Sequence, residues 1–391
     1  MNHISVTGLG NSLRARVRFD RNELSGAFGD IGTDFPLIVA MILIAKLDPA
    51  SVLILFGTMQ IFTGLTYGLP MPVQPLKAFA VIVITQKLGG NIMYGGGLAI
   101  GIVMLLLTVT GLIDGLARAV PKSVVRGIQF GLGLQLAYLA LRDYVRVEGI
   151  PGYILAAVSF ALILALLGNR KFPPAPFAIL LGVVYALLFK LDAGQLGRTV
   201  GFSLPEFHHP SLQDMMTGFV VLTLPQIPLS LGNSILATRQ VAADLFPDQP
   251  LTVRKISMTY SIMNLVNPFF GGIPTCHGSG GLAGHHAFGG RTGGSVVIYG
   301  SMYLLLGFFL SGGFGLAIEL FPKPILGVIL LFESIALIRL VSDMAGSKTD
   351  FTIVLLVGIA ALGLPYGYVI GLVVGTSLAY LAKSRVLKLG A

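Results

Sequence analysis

The chain has 391 residues, of which 54% are hydrophobic and 11% charged, with a mean hydropathy of +0.84. Soluble domains carry about a quarter charged residues, so the low charge excludes a soluble domain. Disordered chains have few apolar residues, so the high apolar content excludes disorder, and a polytopic membrane protein remains. The 26 Lys and Arg outnumber the 17 Asp and Glu, giving a net charge of +9 that is typical of basic cytoplasmic loops in a membrane protein.

The first apolar segment follows a polar stretch, residues 1–23, that contains several arginines and no apolar core. We therefore expect a cytoplasmic N-terminal segment and no cleavable signal peptide. A spanning helix needs roughly 20 apolar residues. The apolar segments that follow lie near 24–45, 50–68, 72–86, 92–113, 122–141, 151–168 and 175–190, and then, beyond a polar stretch at 191–211, near 212–238, 253–270, 278–288, 293–317, 322–338, 350–364 and 366–382.

These segments divide into seven and seven, which predicts an all-α membrane protein of 14 transmembrane segments. If the N-terminus is cytoplasmic, most Lys and Arg fall on the cytoplasmic side, as the positive-inside rule requires. An odd number of spans in each half gives the halves opposite orientations. We therefore predict a 7+7 inverted repeat in a cell (inner) membrane, with both termini, including the tail 384–391, in the cytoplasm.

The third and tenth segments, 72–86 and 278–288, are too short to span as helices. They follow the Gly- and Pro-rich stretches Gly68-Leu-Pro-Met-Pro-Val-Gln-Pro-Leu-Lys77 and Gly272-Ile-Pro-Thr-Cys-His-Gly-Ser-Gly-Gly281. Proline cannot lie inside a continuous helix, although it suits the first turn of one. Short, interrupted segments at matching places in two halves indicate the binding site of a transporter. We therefore expect two broken helices whose N-termini meet at the middle of the membrane.

Such a meeting point favours an anion. Each helix N-terminus carries about half a positive charge, so two of them supply roughly one charge. Lys77 would supply another, and a site of about +2 suits a dianion better than a neutral base or a cation. The alternative is that Lys77 reaches an interface or pairs with Asp30 or Asp34, because a buried lysine without a partner is costly.

Polar and small residues flank both breaks. Gln74 carries an amide that donates to an oxyanion, or alternatively bonds the broken backbone. Gly278, Gly280 and Gly281 surround Ser279, and glycine permits close approach of a ligand to backbone N–H groups. Tight packing between helices is the alternative role for these glycines.

The eighth segment has polar residues at helical spacing. We expect Gln226 and Ser230 to face a cavity and Asn233 to contact a neighbouring helix, since polar residues in membrane helices serve both purposes. Pro225 and Pro228 predict a local unwinding of this segment.

The first segment contains two acids, Asp30 and Asp34, which a helix places on one face. Intramembrane acids are costly and usually functional, and burial disfavours their charged form, so both are candidates for carrying a proton. Thr33 is a neutral donor on the same helix. The alternative is that Asp30 lies near the cytoplasmic end, where it caps the helix or pairs with an arginine.

The spacing of Cys276, His277, His285 and His286 matches no common zinc site, so we predict no metal and no cofactor. His277 is a candidate donor near the site or a titrating group. The sequence contains no phosphate-binding loop of the G-x-x-x-x-G-K-[ST] type and no nucleophile–base pair, so we expect neither ATP-driven transport nor an enzyme. A single cysteine excludes an intrachain disulfide.

Several of these motifs resemble the molybdate transporter family of plants, algae and prokaryotes, which is related to the SulP-type sulfate permeases. The resemblance covers residues 24 to about 293. It rests on Gly29-Asp-Ile-Gly-Thr33, Pro70-Met-Pro-Val-Gln-Pro-Leu-Lys77, Leu245-Phe-Pro247, Cys276-His-Gly-Ser-Gly-Gly281 and Arg291-Thr-Gly293.

The resemblance implies a fold similar to the nucleobase and sulfate permeases. Residues 24–113 and 212–317 would form a core domain, and residues 122–141, 151–190 and 322–383 a gate domain. The substrate would lie between the third and tenth segments, the core would slide against the gate like an elevator, and a homodimer would form through the gate. Related nucleobase permeases bind substrate through carboxylates where this chain has Leu229–Ser230 and Ser279, and their absence here favours an anion.

Our first hypothesis is a secondary active transporter that imports molybdate, and by extension tungstate, with the lipid bilayer and a second copy as its other partners and no role for nucleic acid. Importing a dianion against the membrane potential costs about 2.3 kcal/mol per charge per 100 mV, so coupling is needed, and protons carried by Asp30, Asp34 or His277 are the candidates. A sulfate or general dianion carrier on the same fold, and an anion channel, are the alternatives. The predicted substrate-binding residues are Thr33, Gln74, Pro75, Leu76, Lys77, Ala78, Gln226, Ser230, His277, Gly278, Ser279, Gly280 and Gly281.

Overall fold

The computed structural model describes residues 16–113, 115, 119–167, 174–189, 200–384 and 386–387, without the side chains of residues 32, 33, 175, 176, 187 and 317–319. Residues 1–15 of the expected N-terminal segment and residues 385 and 388–391 of the expected tail lie outside these ranges. Within them the chain is mostly helical, and six helices are long and apolar enough to cross a membrane. The expected helical, polytopic membrane protein is therefore confirmed.

The described helices of the first half follow the apolar segments closely. The helix α3 shows the local causes: the Asp48 carboxylate caps the Ser51 N–H at 2.7 Å, Pro49 occupies the first turn, and Gly68 ends the helix with a φ of 70°. The helices are α1 (Arg21–Ala27), α2 (Ile31–Ala45), α3 (Pro49–Tyr67), α4 (Lys77–Gln86), α5 (Gly90–Thr110), α6 (Lys122–Leu139, continued by a π-helical turn Ala140–Val145), α7 (Gly149–Leu166) and α8 (Pro174–Phe189).

The second half begins with a long helix, α9, that runs from Leu212 to Leu245. The others are α10 (Val253–Val266, followed by the 3₁₀ turn Asn267–Phe270), α11 (Ser279–Ala287), α12 (Gly294–Phe309), α13 (Ser311–Leu320), α14 (Lys323–Arg339, followed by the 3₁₀ turn Leu340–Met344), α15 (Lys348–Gly363) and α16 (Gly367–Lys383).

Three expected segments differ in detail from these helices. The first, 24–45, is interrupted at residues 28–30 and so forms α1 and α2. The eleventh, 293–317, forms α12 and α13, because α12 ends at Phe309 and Leu310 leaves the helical conformation with a φ of −127°. The eighth segment remains one continuous helix through its two prolines. The expected local unwinding takes the form of two wider π-helical turns, Phe219–Thr223 and Ser230–Ala237, which flank Leu224–Leu229.

Two very short strands join the halves near the breaks. Strands β1 (Gln74–Pro75) and β2 (Thr275–Cys276) pair antiparallel, with Gln74 opposite Cys276. The Leu76 N–H extends this pairing by donating to the Pro274 carbonyl at 3.0 Å. Because each strand leads directly into a short helix, α4 and α11 begin beside each other.

Each strand is held by an amide side chain from a neighbouring helix. Gln60 of α3 donates to the Val73 carbonyl at 2.8 Å and accepts from the Val73 N–H at 3.1 Å. Asn264 of α10 donates to the Thr275 carbonyl at 2.6 Å and accepts from the Thr275 N–H at 3.0 Å. The backbone N–H and carbonyl groups of Val73 and Thr275 are thus hydrogen-bonded in the same way at the two breaks, as a low-dielectric environment requires.

The helices pack in two groups. One brings α3 against α12 and α5 against α9 and α10, while the other brings α6 against α14, α15 and α16. The α3–α12 contact depends on small residues: a Cβ built on Gly57 would lie 2.5 Å from the Gly300 carbonyl oxygen. Close backbone approach of this kind is how small residues drive helix association in membranes.

Candidate functional site

The residues around the two helix starts differ in exposure. Lys77 and Ser279 are half-buried and Gly280 is exposed, whereas Leu76 and Ala78 are buried. A Cβ built on Gly280 would meet nothing within 4 Å. The start of α11 therefore borders open space at the point where the sequence predicts substrate binding.

The backbone N–H groups at the two helix starts are not equally available. The Leu76 N–H is used by the strand pairing, and the Ala78 N–H donates to Gln226 Oε1 at 2.9 Å. In contrast, the N–H groups of Ser279, Gly280 and Gly281 make no hydrogen bond to any described residue. All three first-turn N–H groups of α11 are thus available to an anion, whereas the Ala78 N–H in the first turn of α4 is already capped by Gln226.

Gln74 binds Asp30, and both side chains lie against the start of α11. Its amide Nε2 donates to both carboxylate oxygens of Asp30, each at 2.7 Å. The pair presses against the start of α11: a Cβ on Gly278 would lie 1.7 Å from Gln74 Oε1, and one on Gly281 would lie 2.2 Å from Asp30 Oδ2. A side chain at either position would therefore force Gln74 or Asp30 to move.

Asp34 lies one turn further along α2. It is fully buried, and neither carboxylate oxygen has a hydrogen-bond partner among the described residues. Asp30, at the N-cap of α2, makes no capping bond with its side chain and pairs with an amide, not with an arginine. The two acids thus lie together in the protein interior, and an uncompensated charge on Asp34 is costly there.

Gln226 and Ser230 of α9 are buried and do not line an open cavity in this structure. Gln226 Nε2 donates to Ser230 Oγ at 3.1 Å, and Ser230 Oγ lies 2.7 Å from Tyr260 Oη. Because the other end of the Gln226 amide caps the Ala78 N–H, this chain of bonds fixes the start of α4 to α9 and α10. Gln226 and Ser230 thereby stabilise the start of α4.

His277 is also fixed from both sides. Its Nε2 lies 2.7 Å from Thr259 Oγ1 and its Nδ1 lies 3.1 Å from the Pro72 carbonyl oxygen. The ring is fully buried and packs edge-on against Tyr67, whose hydroxyl lies 2.6 Å from the same Thr259 oxygen. This environment ties the residues before β1 to α10.

Lys77 makes no ion pair or hydrogen bond through its amine to any residue that the structure describes, so the alternative of a direct pair with Asp30 or Asp34 is not seen. The side chain of Thr33 lies outside the described residues. Pro75 lies in β1. Among the described residues, no group of three or more His, Cys, Asp or Glu could hold a metal ion.

Glu23 is a buried acid that the sequence analysis did not single out. Its carboxylate accepts from the N–H groups of Arg291, Thr292 and Ser295 at 2.8–3.0 Å, and from the Thr292 hydroxyl at 2.9 Å. It therefore binds the start of α12 to the segment before the first span. The sequence does not reveal these contacts, because the partners lie about 270 residues away.

The geometry can be set beside known proteins. A family model described as "Molybdate transporter of MFS superfamily" matches residues 22–136 and 218–337, which include both helix starts. The Molybdate transporter 1 of Arabidopsis thaliana is 34% identical over 91% of this chain and 88% of its own length. The chain belongs to the molybdate transporter family. The family that the motifs indicate is thereby confirmed, and the chain is a transporter and not an enzyme.

Other relatives of this transporter agree. The Molybdate transporter 2 of Arabidopsis thaliana is 32% identical over 90% of this chain and 86% of its own length. Among solved structures, murine Slc26a9, described as an anion transporter in the inward-facing state, has a TM-score of 0.71 at 14% identity over 99% of this chain and 73% of its own. The transmembrane domain of the cyanobacterial bicarbonate transporter BicA has a TM-score of 0.66 at 17% identity, covering 93% of this chain and 98% of that domain. The fold is thus that of the SLC26 and SulP proteins.

Proposed function

We propose that this transporter imports molybdate, and also tungstate, by secondary active transport. The observation that carries the proposal is the open start of α11. There the N–H groups of Ser279, Gly280 and Gly281 have no partner among the described residues, and the amine of Lys77 is equally unengaged. Backbone donors without a hydrogen-bond partner, next to an amine that makes no direct ion pair, suit a tetrahedral dianion.

The polar groups around this opening have complementary roles in the proposal. Ser279 supplies a hydroxyl beside the free N–H groups. Gln226 and Ser230 hold α4, and His277 holds the approach to β1, so that these three position the site and do not contact the anion. Pro75, Leu76 and Ala78 contribute backbone that shapes the break, while Gly278 gives Gln74 the room to reach Asp30.

We propose that Asp30 couples transport to protons. Its carboxylate lies against the first turn of α11 and holds the Gln74 amide, so it competes with an entering anion for both. Protonation removes this charge, frees an amide hydrogen of Gln74 for the anion, and lets a proton enter with it. Asp34, buried next to it, is the second candidate, and His277 is the third.

We further propose that the chain forms 14 segments in a 7+7 inverted repeat. The matching amide clamps of Gln60 and Asn264, each one helix before its break, support the repeat. The two packing groups support a core of residues 24–113 and 212–317 and a gate of residues 122–141, 151–190 and 322–383, and we propose that the two move past each other as an elevator. Dimerisation through the gate and a cell membrane with cytoplasmic termini complete the proposal.

The test is uptake of labelled molybdate into proteoliposomes under an imposed pH gradient, with excess tungstate, sulfate or uracil as competitors. We expect saturable, gradient-dependent uptake that tungstate blocks and that sulfate and uracil do not. Equal competition by sulfate would make the protein a general dianion carrier, and unitary currents without saturation would make it a channel. Gln74→Ala should reduce uptake without loss of expression, and unchanged transport would remove Gln74 from the site.

A further inference from the structure

A cavity of about 260 Å³ with several polar residues in its lining lies between α6 and α9. Its polar wall consists of Lys122, Arg126 and Gln129 from α6 and Asn233 from α9, and the rest of the lining is apolar or glycine. Since a water molecule takes about 30 Å³, the cavity has room for a small anion together with several hydrating waters. No acidic side chain lines it.

The polar wall presents donors. Arg126 Nη1 donates to Gln129 Oε1 at 2.9 Å, which fixes the amide and leaves its Nε2 for the cavity. Gln129 is 2% exposed, and its Nε2 has no acceptor among the described residues. A buried amide with its acceptor atom occupied and its donor atom free is a feature of an anion-binding wall.

The two cations on this wall share one counter-ion. Asp343 lies 2.8 Å from Lys122 Nζ and 2.6 Å from Arg126 Nη2, and it also accepts from Arg126 Nε at 3.1 Å. Two positive charges thus face one negative charge, so the cluster keeps a net charge of +1. An oxyanion entering the cavity meets that charge and competes with Asp343 for the guanidinium.

The cavity adjoins the start of α11. Asn233 Oδ1 accepts from Ser279 Oγ at 3.5 Å, and the amide Nδ2 of Asn233 has no acceptor among the described residues. The same side chain therefore forms part of the cavity wall and touches the first residue of α11. An anion can therefore pass between the donors of the cavity wall and those at the start of α11 by way of the Asn233 side chain.

We propose that this cavity is a second oxyanion site, formed by Lys122, Arg126, Gln129 and Asn233, at which a tetrahedral dianion is held on one face of the membrane before or after it occupies the start of α11. The identity of the anion rests on the proposed function. The position and donor chemistry of the cavity do not depend on the proposed function.

The experiment measures the KM for molybdate separately on each membrane face, in proteoliposomes of uniform orientation made from phosphatidylcholine alone. Gln129→Leu and Arg126→Gln should each raise the KM about three- to tenfold on one face and leave the other unchanged. Asp343→Asn should lower the KM on that same face, because this substitution removes the competing negative charge. Lys348→Gln, which removes an exposed cation at the start of α15, is the control and should change neither value.

Equal shifts on both faces, or none, would overturn the proposal, as would a rise for Asp343→Asn. A lipid phosphate is the other source of the same chemistry, and variant effects that appear only after phosphatidylglycerol is added would assign the cavity to a headgroup and overturn it too. If the wild type does not transport molybdate, the proposed function fails. Equilibrium dialysis of the detergent-solubilised protein then still decides the cavity: Arg126→Gln should bind one molybdate per chain fewer than wild type if the proposal is right, and the same number if it is wrong.

Discussion

Replacing Gly281 by alanine tests the contact between Asp30 and the start of α11. The new Cβ would lie 2.2 Å from Asp30 Oδ2 and 2.8 Å from Gln74 Nε2. To reach an ordinary van der Waals distance of 3.4 Å, the carboxylate oxygen must retreat by about 1.2 Å. Such a shift is large enough to break at least one of the 2.7 Å bonds from Gln74.

The expected cost follows from these contacts. Overpacking of this kind costs about 1–3 kcal/mol, and a hydrogen bond to a charged group contributes about 1.5–3 kcal/mol. Alanine returns about 1 kcal/mol through its helix propensity. We therefore expect Gly281→Ala to lower the free energy of unfolding by about 1.5–5 kcal/mol.

The assay is thermal unfolding in detergent together with molybdate uptake in proteoliposomes. Gly280→Ala is the matched control for folding, because its Cβ would meet nothing within 4 Å and it gains the same helix propensity. We expect the control to unfold at or above the wild-type temperature, while its methyl group, placed at the open start of α11, raises the KM. A Gly281→Ala protein as stable as the control, with wild-type uptake, would refute the reasoning.

Three further predictions rest on single contacts. Asp30→Asn should abolish the dependence of uptake on a pH gradient while keeping the bond to Gln74, and uptake that still follows the gradient would move coupling elsewhere. Gln226→Leu removes the acceptor of the Ala78 N–H, so uptake should fall at least tenfold with little change in expression, whereas a normal rate would deny this cap a role. Glu23→Gln leaves a neutral amide facing four donors and should lower stability by about 2–3 kcal/mol in thermal unfolding, a loss that Asp244→Asn at the exposed end of α9 should not reproduce.

Much of the fold can be predicted from the apolar composition and from the positions of proline and glycine. Apolar stretches mark the helices, and the Pro- and Gly-rich stretches before Lys77 and Ser279 mark the two short ones. The interruption at residues 28–30 was not predicted, because a glycine inside a helical pattern is often tolerated and does not by itself mark the end of a helix. The contact there is tertiary: a Cβ on Gly29 would lie 2.5 Å from the backbone of Gly284, and α1 packs onto α11 beside this close approach.

The site residues could be identified by type, but their partners could not. Sequence spacing places Gln74 next to a break, yet it does not reveal that Asp30, 44 residues earlier, takes its amide. It likewise cannot tell that Gln226 caps the Ala78 N–H. These contacts join helices that are distant in the chain, and side-chain pairing across such distances depends on the packing of the whole bundle.

The central claim is that an oxyanion binds where α4 and α11 begin, and equilibrium binding of molybdate to the purified protein tests it most directly. The comparison is between wild type, Lys77→Gln and Lys348→Gln. If the dianion lies beside Lys77, removing that charge should weaken binding at least tenfold, since a unit charge about 4–5 Å from a dianion contributes several kcal/mol at an effective dielectric constant near 20. The Lys348 control should bind like wild type. Equal affinities in all three proteins would contradict the account.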